Sequence, residues 1–220
     1  MRILIQYHER LGDVIRLLPL AKYLHDKGGE VFIECRDQYA DILNCVTYAK
    51  HKRIEDQYDG FDKIFNRQVW PLLYDEYRQS GKWWEDFVFG EFAPEAVGER
   101  IVFDSIIKGE DFGVFDLVAP FGISQIVRHD PMKVISKAVK MYGLDEIAVL
   151  CPPDVQISGI RTITAKSVSE LPWIIGSSRH FLGINSSPAL IASATKESYQ
   201  LIPTGNFQDD YTLGAETISL

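Results

Sequence analysis

The first 24 residues, MRILIQYHERLGDVIRLLPLAKYL, run from a short apolar stretch through a polar loop into an amphipathic helix, and few folds begin that way. The apolar run at 3–5 reads as a strand, 6–11 as the loop, and Gly12-Asp13 as the opening of a helix over 13–27. Val14, Leu17, Leu18, Ala21 and Leu24 fall on one face of that helix at helical spacing. Gly28-Gly29 then close it, as glycines commonly do at helix ends. A leading strand–loop–helix is the first unit of an open α/β sheet, and such sheets bind ligands outside the carboxyl ends of their strands. Asp13 therefore falls at a site-facing helix start, where the helix dipole also favours a carboxylate.

The alternation continues with a strand at 31–34, a short helix at 37–43 and a strand at 61–65. Residues 67–112 read differently. Trp70, Tyr74, Tyr77, Trp83, Trp84, Phe87, Phe89 and Phe92 are interleaved with acidic residues, which predicts one or two helices and irregular turns. Two uses fit that composition: a helical cover that buries its aromatics, or an acceptor-binding surface, since aromatic faces stack on sugars and bases. The run Gly-Glu-Asp-Phe-Gly at 109–113 marks a boundary, after which the β/α pattern restarts. Strands are expected at 114–119, 147–151, 180–184 and 199–202. Helices are expected at 130–142, closed by Gly143, from Ser167 to about Gly176, and at 189–195. The pair Ser167 and Glu170 has capping-box spacing. The fold class is thus α/β, with two Rossmann-like halves, 1–112 and 113–220, each a parallel sheet with helical crossovers.

Composition narrows the function classes. The chain of 220 residues carries a net charge of −8 and has no lysine- or arginine-rich run, so a nucleic acid is not the default partner. Cys35, Cys45 and Cys151 are odd in number and lack CxxC or zinc spacing, which points to free thiols in a reducing compartment. Gln6, His8, Glu9 and Arg10 interrupt any signal-peptide core, and no stretch approaches the roughly 20 apolar residues of a membrane span. A cytoplasmic protein is expected. GxGxxG, Walker A, GxSxG, HExxH and DxD motifs are all absent, so classical dinucleotide binding, P-loop phosphoryl transfer and zinc-pair chemistry lack support, and no metal is expected.

Three segments carry candidate chemistry. In the first, Gly12 permits a tight turn and close approach of a ligand, and Asp13 is placed to take a proton from an attacking hydroxyl. Read conservatively, Asp13 only stabilises its helix, and His8, Glu9 and Arg10 are solvated loop residues. In the second, Asn185-Ser186-Ser187-Pro188 leaves a strand and opens a helix. Helix N-termini bind phosphates, and Ser186 and Ser187 would add donors, unless they serve only as N-caps. In the third, residues 120–131, Gly122 and Ser124 are candidates to face a ligand and Arg128 to hold a phosphate. The alternative is a surface loop ending in Pro131 at the first turn of a helix.

Together these segments resemble glycosyltransferase family 9, the ADP-heptose:lipopolysaccharide heptosyltransferases. That family begins with a strand, a short loop, Gly-Asp and two apolar residues, then a Leu-Pro helix; here these are Gly12-Asp13-Val14-Ile15 and Leu18-Pro19. Its later motif, of the form Asp-(Ser/Thr)-Gly-x-x-His-x-(Ala/Thr)-Ala-Ala, aligns with Asn185 to Ala194. Its Lys-x-Trp-Pro aligns with Arg128-His129-Asp130-Pro131. The resemblance covers 1–45 and about 114–205.

The resemblance implies a GT-B architecture of two Rossmann-like halves facing a cleft, here with a shortened N-terminal half. It also implies inverting, metal-independent transfer from a nucleotide-sugar, without a cofactor. Asp13 matches the family's base, and Arg128 the lysine that neutralises donor phosphate. Asn185, Ser186 and Ser187 match the phosphate-binding loop, with Gly122 and Ser124 beside it. His8, Arg10 and Gly12 fall on the acceptor side. The acceptor would be a glycan, a lipid-linked saccharide or a small molecule, with a nucleic acid disfavoured by the charge. Three departures stand out: Asn185 for the family's acid, Leu190 for its histidine and Asp130 for its tryptophan. They motivate a second reading, a non-catalytic nucleotide- or partner-binding protein. A third reading is a nucleotide-sugar epimerase or hydrolase on the same fold.

Overall fold

A computed structural model of the chain describes residues 1–6, 10–65, 79–80, 82, 84–122, 130–203 and 215–219. The chain forms two compact units, Met1–Ile106 and Ile107–Leu220. Each is built on one sheet whose strand pairs are all parallel, the α/β class read from the sequence.

The first unit runs β1 (Arg2–Gln6), α1 (Leu11–Arg16), α2 (Leu18–Asp26), β2 (Glu30–Glu34), α3 (Asp37–Ala40), β3 (Lys50–Lys52), β4 (Lys63–Phe65) and α4 (Trp84–Phe92). Strand order is β3-β2-β1-β4. Ile3, Leu4 and Ile5 of β1 are fully buried, as befits a strand flanked on both edges and covered on both faces. The helix expected over 13–27 is two helices. Pro19 has no N–H to give to the carbonyl four residues back, so the first helix ends and Leu17 N–H pairs at three-residue spacing with Val14 O, 3.1 Å away. The face survives the break, because Val14, Leu17, Leu18, Ala21 and Leu24 are all buried.

The two glycines after α2 have separate roles. Gly28 sits at φ +84°, a left-handed conformation that closes the helix. Gly29 has no room for a side chain: a Cβ there would lie 2.8 Å from Leu24 O and 2.8 Å from Ile3 Cδ1. That close approach lets Glu30 N–H reach Met1 O at 2.8 Å and start β2 beside β1.

The tail of the unit is laced to the loop before β3. Thr47 N–H and Oγ1 donate to the Asp104 carboxylate at 2.8 and 2.6 Å, and Tyr48 OH donates to Val102 O at 2.6 Å. Within the aromatic segment, Phe87, Phe89 and Phe103 are buried, which is the helical-cover use of those positions. Trp70, Tyr74, Tyr77 and Trp83 lie outside the described residues.

The second unit runs β5 (Asp116–Ala119), α5 (Pro131–Tyr142), β6 (Ile147–Leu150), β7 (Thr162–Ile163), α6 (Leu171–Ser177), β8 (Phe181–Ile184), α7 (Ser187–Thr195), β9 (Gln200–Ile202) and β10 (Glu216–Thr217). Its order, β10-β9-β8-β5-β6-β7, is the 3-2-1-4-5-6 order of a doubly wound nucleotide-binding sheet read from the other edge. Val118, Val149, Leu182 and Ile184 of the sheet pack with Val134, Ile135 and Ala138 of α5 in one core. Asp130 caps α5 by accepting from Met132 N–H at 2.9 Å, with Pro131 in the first turn and Gly143 at its end, as expected. The Ser167 capping box does not form. A 3-10 turn over Val168–Glu170 carries Glu170 back to Lys166 N–H (2.8 Å), and Ser167 Oγ pairs with Ser169 Oγ (2.7 Å).

The amino edge of this sheet is held by charge. Asp116, 1% exposed, accepts from Arg179 Nε and Nη2 at 2.9 and 2.6 Å and from His180 Nδ1 at 2.9 Å. Burial pushes its carboxyl up, and the bonds from Arg179 and His180 outweigh that, holding it below the usual carboxylate range. Arg179 also reaches Glu146, and the His180 ring stacks on Tyr142 at 5.6 Å.

Two stability predictions follow from these contacts. Gly29→Ala must push Leu24 O or β1 aside, at a cost of about 1–3 kcal/mol, lowering the melting temperature by roughly 2–12 °C. Differential scanning calorimetry checks it, with Gly90→Ala, where a Cβ meets nothing within 4 Å, as the control. Because the folded pKa of Asp116 is depressed, its contribution is complete above the carboxylate range and is lost as pH falls through the folded value. Urea melts of Asp116→Asn are therefore expected to show a deficit against wild type at pH 7 that shrinks as the pH is lowered below that range.

Candidate functional site

In an open parallel sheet, the crevice for a ligand opens where strands on either side of the first strand lead their crossovers to opposite faces. In the second unit that point lies between β5 and β8, which pair directly, Ala119 opposite Gly183. The two segments that leave this point are Pro120-Phe121-Gly122 after β5 and Asn185-Ser186-Ser187 after β8. The structure therefore brings two of the sequence-derived candidate segments to adjacent strand ends. Gly122 is exposed, and Asn185, Ser186 and Ser187 are half-buried. Ser124 and Arg128 lie outside the described residues.

The start of α7 is built in an unusual way for a serine-rich turn. Ser186 occupies the cap position in extended backbone (φ −157°, ψ 177°), and its carbonyl accepts from Ala189 and Leu190 N–H at 3.0 and 3.3 Å. Its hydroxyl does not cap the helix; it donates back to Ile184 O at 3.2 Å. The N-capping use of Ser186 is thus replaced by a bond that fixes the turn out of β8. Pro188, in the first turn, contributes no N–H. Leu190, where the resembling family has histidine, is 4% exposed and packs inward.

In the first unit the matching edge is the carboxyl end of β1. Arg10 is exposed and extended, and its carbonyl accepts from Asp13 and Val14 N–H at 3.1 and 3.2 Å. The helix begins at Leu11, two residues before the expected start, because buried Leu11 anchors the first turn in the core. Gly12 and Asp13 are half-buried in that turn, so Asp13 keeps its place at the positive end of the helix. His8 lies outside the described residues.

The same edge holds a group that the sequence reading did not single out. Gln6, Glu34 and Lys52 end β1, β2 and β3 in register. Lys52 Nζ donates to Glu34 Oε2 at 3.0 Å, with the two side chains 5% and 1% exposed. The signal in the sequence was a charge ending each of two short strands. Cys35 follows Glu34, and burial, with Asp37 and Glu34 nearby, pushes its thiol up to about 12, which leaves it unreactive. All three cysteines are free and buried.

Other features stand apart from these edges. A cavity of about 290 Å³ lined by His25, Gly28, Glu30, Thr47, Tyr48 and Lys50 lies at the amino edge of the first sheet, away from Asp13. Among the described residues no helix is long and apolar enough to cross a membrane, and no three His, Cys, Asp or Glu side chains are grouped to hold a metal ion.

No family profile matches the sequence, and no curated protein matches it either. Solved structures do match the fold. Heptosyltransferase WaaC of E. coli, solved with ADP, aligns with a TM-score of 0.69 at 9% identity, over 100% of this chain and 91% of that one. A glycosyl transferase family 9 protein from Veillonella parvula aligns with a TM-score of 0.69 at 10% identity, over 100% and 86%. The iron-containing dodecameric glycosyltransferase TibC of enterotoxigenic E. coli aligns with a TM-score of 0.67 at 13% identity, over 98% of this chain and 62% of that one. The chain has a GT-B glycosyltransferase fold. Within that class, its fold is that of the heptosyltransferase-like family 9 proteins.

The geometry at Ser186 leads to a prediction. Because its hydroxyl bonds Ile184 O and caps nothing, Ser186→Ala is expected to lose less than the roughly 1 kcal/mol of a typical N-cap deletion. Equilibrium urea denaturation checks this, and a loss of a full cap's worth contradicts the geometry.

Proposed function

We propose that the chain is a glycosyltransferase that moves a sugar from a nucleotide-activated donor to an acceptor hydroxyl, with inversion and without a metal ion, as a divergent member of family 9. What supports this most is the second sheet's strand order, which sets residues 120–122 and 185–187 at the adjoining carboxyl ends of β5 and β8. The whole-chain likeness in fold to transferases, one of them solved with ADP and with ADP-2-deoxy-2-fluoro heptose, agrees with it. In this reading the second unit holds the donor. Ser187, Asn185 and Gly122 line its diphosphate, and Arg128 and Ser124, which follow β5 in the sequence, are assigned to the same donor. The leaving diphosphate is where negative charge develops, so donors fixed there lower the barrier more than donors fixed on the sugar.

The first unit presents the acceptor and the base. Asp13 takes the proton from the acceptor hydroxyl as its oxygen attacks the anomeric carbon on the face opposite the departing diphosphate. The carboxylate sits in the first turn of α1. His8, Arg10 and Gly12 line the acceptor's approach.

A second reading, a nucleotide-binding protein without transfer, is favoured by one observation. Leu190 turns into the core, so the fourth position of α7 offers a bound phosphate no polar side chain.

Two measurements decide between them. Asp13→Asn is expected to lower transfer at least roughly a hundredfold, the scale of a lost general base, while nucleotide affinity stays within a factor of two or so. A thermal-shift panel of ADP, UDP, GDP, CDP and dTDP is expected to single out ADP. A ligand at a hundred times its dissociation constant stabilises by about 2.7 kcal/mol, roughly 5–11 °C here. Arg128→Ala is expected to abolish that rise. A bound nucleotide with no sugar consumed supports the second reading, and no shift with any nucleotide rejects both.

A further inference from the structure

The carboxyl edge of the first sheet carries a polar group whose members are spent on one another. The Lys52 ammonium donates to Glu34 Oε2 at 3.0 Å, Arg53 O at 2.8 Å and Asp56 O at 3.1 Å, so all three of its N–H bonds are used. The same ammonium lies 4.1 Å from the centre of the Tyr58 ring, a cation–π contact that fixes one face of the ring. Burial, followed by the neighbouring Glu34 carboxylate, pushes the Tyr58 hydroxyl above its ordinary pKa. The buried Lys52 ammonium, itself fixed by Glu34 and two carbonyls, thus holds Tyr58 by one ring face.

Tyr58 as a residue is nevertheless 44% exposed. An aromatic side chain in a loop ordinarily turns its apolar area toward the protein; this one is clamped while presenting area to solvent, at the strand ends where open α/β sheets take ligands. Lys52 covers one face of the ring, so what remains for a ligand is the other face. A rigid aromatic surface of this kind suits the C–H face of a pyranose, and because the ring is already immobilised, little conformational entropy is lost on binding. The surrounding loop carries exposed Glu55, Asp56 and Asp59 against Arg53, whose guanidinium lies 3.8 Å from Asp37. That balance repels an anionic sugar and tolerates a neutral or amino sugar.

We propose that Tyr58, held across one ring face by the Lys52 ammonium, is a stacking platform for a neutral or amino-bearing sugar ring of the acceptor. The assignment rests on the transferase reading for the word acceptor, and on the geometry alone for the sugar.

Saturation-transfer NMR on the full chain tests it, with methyl glucoside, methyl galactoside, glucosamine, N-acetylglucosamine and glucuronic acid as probes. At least one neutral or amino sugar is expected to receive saturation at its ring C–H protons. The effect is expected to fall roughly fivefold in Tyr58→Ala, the scale of a lost aromatic contact, and to persist in Tyr58→Phe, which keeps the ring. Equal melting temperatures for wild type and Tyr58→Phe guard against a folding artefact. No saturation with any probe, saturation that Tyr58→Ala leaves unchanged, or preference for glucuronic acid overturns the proposal. Nucleotide thermal shifts on the same samples separate the two ideas. Shifts retained while the sugar result fails reject the platform alone, and shifts absent while Tyr58-dependent saturation persists reject the transferase and leave a sugar-binding protein.

Discussion

The parallel pairing of β5 with β8 holds the second unit's candidate site in place. These strands are distant in sequence, and β6 and β7 intervene along the chain but lie on the other side of β5. The reversal of direction at β5 separates the crossover after β5 from the crossover after β8 and opens the space between residues 120–122 and 185–187. The pairing is fixed from below by Asp116, Arg179 and His180, which tie the first residue of β5 to the two residues ahead of β8. Backbone bonds from Leu117 N–H to His180 O and from Arg179 N–H to Phe115 O, at 2.9 and 2.8 Å, continue the same seam. A slip of one residue here would turn Leu182 and Ile184 out of the core, because side chains alternate faces along a strand. The charged cluster lies at the edge opposite the candidate site, so it sets register without competing for ligand.

The first unit solves a related problem with glycine and proline. Gly29 brings the end of α2 within contact of Ile3, which sets β2 beside β1. Pro19 breaks the helical run, and the short α1 that results is free to start at Leu11 without α2 dictating its direction. Asp13 is positioned by that local choice and not by a long rigid helix. At the same edge, the buried pair of Glu34 and Lys52 costs desolvation that hydrophobic residues would avoid. Its return is an ordered loop: Lys52 holds the carbonyls of Arg53 and Asp56 and lies against the Tyr58 ring.

The sequence made the central strands and the edge strand β4 legible and left the other edges dark, for one physical reason. Strands buried on both faces read as continuous apolar runs, and Ile3–Ile5, Leu117–Ala119 and Phe181–Ile184 are such runs. The edge strands Lys50–Lys52, Thr162–Ile163 and Glu216–Thr217 have two or three residues and polar side chains, so neither length nor alternation announces them. Helix α5 was legible because Asp130, Pro131 and Gly143 mark both ends locally. The Ser167 pair misled because a capping box needs an α-helical first turn, and the chain makes a 3-10 turn there. Asp13 and the 185–187 turn could be picked out because Gly-Asp and Asn-Ser-Ser-Pro are local signals at strand ends. Tyr58 could not, since its environment is assembled from the ends of three strands that come together only in the fold.

The substitutions that distinguish this chain from the pattern it resembles also have a physical reading. Replacing an acid by Asn185 removes a negative charge from the turn into α7, and with it a repulsion of any anion. Replacing a histidine by buried Leu190 removes a donor and adds core packing, since Leu190 joins Ala189, Ile191 and Ala192 among the buried residues of that helix. The two changes act in opposite directions on anion binding: one lowers a repulsion, the other withdraws a hydrogen bond. Beside its Asn and Ser side chains the turn retains backbone, and backbone N–H groups at a helix start meet an anion without regard to what the anion carries. A site that leans on backbone for the diphosphate leaves sugar discrimination to side chains elsewhere.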